Sequence, residues 1–199
     1  AETSSKFYAE YDSNMKDLRK SAGKLSGTDF QLDKSDIKTN ADGSKTYSDR
    51  LKNAISNVKD LVNEYNETSD FLRENKSLGK GVQQLTTEFS DTTYKADSYA
   101  KMGITVDAKT GKMSVNESRL ARALTDSPAQ SEAILGKGGL AGRADRHAQY
   151  AQMARSRVIP SMEQAIGGQL NYAANMLNGR SLPTMQRYSN ILNLFSIYV

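Results

Sequence analysis

Two proline-free stretches repeat their apolar residues at alternating intervals of three and four. The first carries Tyr8, Tyr11, Met15, Leu18, Ala22 and Leu25; the second carries Leu51, Ile55, Val58, Val62, Tyr65, Ser69 and Leu72. A mean spacing of about 3.5 residues puts a whole series on one side of an α-helix and on alternating sides of a strand, so only helices packed side by side bury it. Ser69 thins one layer of the second seam, while Leu61 and Phe71 widen its apolar face. The expected fold is therefore mainly α: an elongated bundle of long, heptad-patterned, coiled-coil-like helices with one or two small β-hairpins. Tyr8, Tyr11, Met15, Leu18 and Leu25 are expected to pack against Leu51, Ile55, Val58, Val62, Tyr65 and Leu72.

The stretch from Gly103 to Leu124 follows different rules. Ile104 and Val106 alternate with polar residues, as do Met113 and Val115, which predicts two short strands with one apolar face each. Between them Asp107-Ala-Lys-Thr-Gly111 has the composition of a hairpin loop. Asn116 can cap the helix that then lines up Leu120, Ala123 and Leu124. Ser127-Pro-Ala-Gln130 has the pattern of a capping box opening a short helix that stops at Gly136. A third helical region follows Gly136-Lys-Gly-Gly-Leu-Ala-Gly142, a stretch that reads as a flexible connector. Pro160 and Gly167-Gly168 interrupt it, and Asn178-Gly179 marks its end. Gly27 to Tyr47, with Asn40-Ala-Asp-Gly43 as a turn signal, reads as a loop or weak hairpin between the first two helices. The expected organisation is one elongated helical domain over residues 1–199. It divides into an N-terminal helix (1–26), a connector (27–47), a stalk (48–180, with the hairpin at 103–116) and an apolar tail (181–199).

Chemistry is sparse. The 199-residue chain has no Cys and a single His, so neither thiolate chemistry nor a zinc site is predicted. No G-x-S-x-G elbow occurs, and the glycines of 136–142 miss both phosphate-binding spacings. His147 is expected as a polar helix residue. Asp33, Asp36 and Asp42 do not fit a calcium loop and read as solvated carboxylates. The net charge of +4 gathers in the last third, where seven basic residues from Lys137 to Arg187 face only Asp145 and Glu163. These are scattered over helix and loop, whereas a nucleic-acid surface would set them on one stripe with aromatics for stacking, so a solvated face is expected. No apolar run approaches the ~18 residues of a membrane span. No enzyme, cofactor or metal is expected.

Gly103-Ile-Thr-Val-Asp, Thr110-Gly-Lys-Met-Ser-Val-Asn116, Leu120-Ala-Arg-Ala-Leu124 and Pro128 resemble, in order and spacing, the C-terminal region of flagellar hook-associated protein 2, the filament cap. Val58-Lys-Asp-Leu-Val-Asn-Glu-Tyr-Asn66 resembles that family's "F-V-x-x-Y-N" stretch, and Gly139-Leu-Ala141 the start of its last long helix. The resemblance covers about Ser48 to Leu177. It implies a rod-like helical domain, export to the flagellum, no catalysis, and assembly at the filament tip where the cap guides flagellin. The family's large head domains have only the short Gly27–Tyr47 connection as counterpart here.

The tail is the candidate partner surface. Tyr188, Ile191, Leu192, Phe195 and Val199 share one helical face, which calls for a cover: the chain's own bundle or another subunit. No Lys or Arg follows Arg187 to favour lipid. The expected partners are further copies, flagellin or other axial proteins, in an extracellular flagellar structure, with neither nucleic acid nor membrane. The alternative is a cytoplasmic helical adaptor or export-chaperone-like module.

Overall fold

A computed structural model of the protein describes residues 2–158. Helix α1 (Glu2–Ser26) leads through a short hairpin, β1 (Ile37–Thr39) and β2 (Lys45–Tyr47), to helix α2 (Asp49–Glu74). Two short helices follow, α3 (Lys80–Glu88) and α4 (Ala96–Lys101), then a second hairpin, β3 (Ile104–Val106) and β4 (Met113–Val115). Helices α5 (Glu117–Asp126) and α6 (Pro128–Leu135) complete the turn into α7, helical over residues 140–158. The fold is mainly α, with two small antiparallel two-stranded sheets.

The long helices α1 and α2 run antiparallel. Phe7, near the start of α1, stacks on Phe71 near the end of α2, with ring centroids 5.2 Å apart. At the other end Asn57 Nδ2 donates to Thr28 Oγ1 at 2.9 Å. Met15, Leu18, Ala22 and Leu25 of α1 and Leu51, Val58 and Leu61 of α2 are fully enclosed. Burying each large apolar side chain stabilises the fold by about 1.5–3 kcal/mol, so this seam is the main energetic spine.

Helix α7 lies antiparallel to α1 on its other flank. Arg155 grips Asp12 with two hydrogen bonds of 2.7 and 3.0 Å, and Arg19 bonds Asp145 at 3.0 Å. The face that α7 buries is built from Ala141, Ala144, Ala148 and Ala151, closed by Val158. Alanines hold little apolar area but let helix axes approach closely. The Tyr11 hydroxyl of α1 can therefore donate to the Ala151 carbonyl. Burial, foremost, raises that phenol's pKa well above its ordinary value.

Three sequence expectations need correction. Asp36 is not a solvated carboxylate: it is 3% exposed and takes 2.8 Å hydrogen bonds from both Arg50 Nε and Nη2. The pairing closes the first hairpin over the start of α2, a contact that local patterning cannot show. Ser127 makes no side-chain cap to α6. Its N–H already ends α5 by donating to Ala123 O, and the resulting backbone (φ −143°, ψ 63°) is not that of an N-cap. The 136–142 stretch is a close-packed turn over 136–139 running straight into α7, rather than an open connector. A Cβ on Gly139 would lie 2.0 Å from Ile134 O, so only glycine lets the chain fold back this tightly.

Candidate assembly site

Tyr65 and Asn66, adjacent on α2, reach two different parts of the molecule. Asn66 Nδ2 donates to Met113 O at 2.7 Å, and the Met113 N–H donates back to Asn66 Oδ1 at 2.9 Å. The side-chain amide thus stands where a third strand would, satisfying the outer edge of β4. Arg73, two turns on, donates to Thr110 O at 2.6 Å, while Asp70 pairs with both Arg73 and Lys112. Helix α2 therefore holds the hairpin loop as well as its strand.

The Tyr65 hydroxyl points instead to Asp91, donating to Oδ1 at 3.1 Å. Asp91 opens the turn Asp91–Lys95 and collects two further partners from α7: Arg143 Nη2, and His147 Nε2 at 2.8 Å. The Phe89 ring sits between those of Tyr65 and His147, 5.4 Å from each. Burial pulls the Asp91 carboxyl up, but its hydrogen bonds and charge interactions with His147 and Arg143 outweigh this and hold it below the usual range. Burial, then the Asp91 charge, pushes the Tyr65 phenol well up. Thr92 Oγ1 donates to Gly111 O at 2.7 Å and ties the same turn to the hairpin. One node thus joins α2, the hairpin and α7.

The expected seam residues meet in one core. Tyr11, Met15, Leu18 and Leu25 pack with Leu51, Ile55, Val58, Val62, Tyr65 and Leu72, while Tyr8 is half-buried under the Arg155 guanidinium. Tyr188, Ile191, Leu192, Phe195 and Val199 lie outside the described residues. Two of the basic residues expected on a solvated face, Arg143 and Arg155, instead link elements. Sequence reading passed over two large apolar side chains on the outside of α7, Tyr150 (41% exposed) and Met153 (75%). Their offset from the alanine seam was the available signal.

Two shallow clefts border α2. One, about 310 Å³, is lined by Tyr47, Ile55, Lys59 and Glu117 among others. The other, about 370 Å³, lies between α1 and α2 and gathers Asp17, Asp60, Glu64 and Glu67 around Lys20 and Lys24. Burial first, and then the charges of Glu67, Asp17 and Asp60, raise the Glu64 carboxyl above its ordinary pKa. Among the described residues no group of His, Asp and Glu is arranged to hold a metal, and no helix is long and apolar enough to cross a membrane.

Long helices joined by ion pairs, with a hairpin clipped to their side, define a helical scaffold protein. The chain belongs to the family described as flagellar hook-associated protein 2 C-terminus, whose profile matches residues 71–192. That span starts in the last turn of α2, takes in the second hairpin and the described part of α7, and continues beyond the described residues. The family read from the sequence motifs is borne out, and with it a structural, hook-associated role in the flagellum. No curated protein and no solved structure matches the chain.

Proposed function

We propose that this protein is a non-enzymatic, cap-like component of the flagellar filament that works by helix-mediated assembly outside the cell. The observation that supports this best is the three-way node at Asp91. Asp91 ties its turn to both α2 and α7, and the neighbouring Thr92 ties the same turn to the second hairpin, which favours a stiff stalk over a chain of separate helices. On this reading the chain acts as one helical unit: N-terminal helix 1–26, connector 27–47, stalk 48–180 and tail 181–199. The seam residues hold the stalk together. The tail face of Tyr188, Ile191, Leu192, Phe195 and Val199 meets flagellin, another axial protein or a second copy.

Purified filaments from cells carrying a tagged chain test this. The tag should co-purify with filaments and label their tips, and a chain truncated at Tyr188 should lose that association. Retention of the intact chain in the cytoplasm, bound to another helical protein, would instead establish the adaptor reading.

A further inference from the structure

The outer face of α7 carries Arg146, Tyr150, Met153 and Arg157, spaced so that all four form one stripe. Each is exposed, and neither arginine has an acidic partner among the described residues. Arginine, tyrosine and methionine are the residue types enriched where proteins dock, and here two cations flank an apolar centre. The stripe is about 16 Å long at the helical rise.

A surface of opposite character lies elsewhere on the same molecule. Asp60, Glu64 and Glu67 follow one another along α2, joined from α1 by Asp17 across the cleft. None of the four has a cationic partner among the described residues, and Lys20 and Lys24 leave the cleft with an excess of negative charge. Within one copy the two surfaces cannot meet. Helix α1 turns Asp12 and Arg19 toward α7, whereas Asp17, Lys20 and Lys24 line the cleft on another side of the helix.

We propose that the Arg146–Tyr150–Met153–Arg157 stripe of one copy docks into the Asp17–Asp60–Glu64–Glu67 cleft of a second copy. The inference rests on the assembly reading above and names a partner and surface for it. Charge complementarity selects the occupant: the arginines neutralise a carboxylate cluster that crowds itself, and Tyr150 and Met153 lose their water. Since the two surfaces differ, the contact is heterologous. It leaves a free stripe at one end and a free cleft at the other, so it propagates to a ring or an open helix.

Sedimentation velocity on the full chain tests this through paired charge reversals. The native chain should self-associate, more weakly as salt rises from about 0.05 to 0.5 M. Arg146→Glu/Arg157→Glu, and separately Asp60→Lys/Glu64→Lys/Glu67→Lys, should each weaken self-association by at least about tenfold. An equimolar mixture of the two variants should restore it, because every stripe then finds a cleft of opposite charge. Where a multiple variant does not fold, the exposed single reversals Arg157→Glu and Glu67→Lys give the same comparison. A native chain that stays monomeric at about 200 µM, reversals without effect, or a mixture that fails to recover would each overturn the interface. A chain that co-purifies with filaments yet associates regardless of either reversal sinks this interface alone. One that never reaches filaments sinks the flagellar reading.

Discussion

The two hairpins of this protein are alike in length and opposite in how they are held. Each has two three-residue strands in antiparallel register. In the first, Lys38, Thr39, Lys45 and Thr46 are exposed and only Ile37 and Tyr47 pack against the core. Its anchor is ionic: Arg50 on Asp36, helped by Ser48 Oγ at 2.6 Å. In the second, Ile104 and Met113 are buried, and the anchor is the Asn66 amide on the Met113 backbone. The first lies outside the family match and the second inside it. A hairpin that closes a connector can be fixed at one charged point, whereas the second is tied both along its edge and at its loop.

If the second hairpin is the structural one, damage there should cost most. Gly103 enters β3 at φ +73°, where a Cβ would stand 2.7 Å from Arg119 Cβ and 2.9 Å from Leu120 N. Gly103→Val adds strained backbone to a clash and should destabilise the chain by about 3–5 kcal/mol, read from urea unfolding followed by circular dichroism. Asn66→Ala should come next. It strands an N–H and a carbonyl of β4, at a cost of about 2 kcal/mol in the same assay. Asn66→Gln, with the amide moved out by one methylene, should recover little of it. A loss under about 0.5 kcal/mol for Asn66→Ala would show that β4 needs no edge partner.

This comparison also marks what the residues reveal in order along the chain and what they do not. The heptads of α1 and α2 and the alternation of β3 and β4 are short-range patterns, so the elements were legible. The Asn116 cap was legible too, and its side chain accepts from Arg119 N at 3.0 Å. Asp36–Arg50, Asn66–Met113 and Asp91–Arg143 are separated by 14, 47 and 52 positions, and no periodicity encodes such pairings. The Tyr65-Asn66 pair drew notice in the sequence only within a stretch resembling a family motif, which lies outside the family match; its reason became clear once both partners had positions. The alanine face of α7 was written in the sequence at helical spacing. It was missed because alanine is a weak hydrophobic signal, although it is the right residue for a close helix crossing.

The ionic anchor should answer to pH where the amide anchor does not. Burial alone would raise Asp36, but hydrogen bonds from Arg50, Ser48 and the Asp33 backbone outweigh it and hold the carboxyl at about 2. A carboxylate lowered in the folded state lends stability that is complete above its unfolded pKa of about 3.9 and lost as pH falls toward 2. Asp36→Asn should therefore remove about 1 kcal/mol near neutrality, a figure reduced for the water around Arg50, and flatten the acid limb of stability between about pH 5 and 2. Unfolding midpoints of parent and variant across that range should converge at the acid end; parallel curves would mean that Asp36 acts by shape alone.

The smallest effect is expected on the exposed strands of the first hairpin. Lys45 pairs opposite Thr39, and neither touches the core. Lys45→Ala should change stability by no more than about 0.5 kcal/mol, since it removes neither a packed group nor an ion pair. The same truncation at Met113, the corresponding first residue of β4, should cost about 2–4 kcal/mol because it empties part of the core. The ratio between these two losses measures how unequal the hairpins are. Equal losses would mean that Lys45 has a partner the first hairpin does not show, and would remove the ground for treating the second as the scaffold's fixed point.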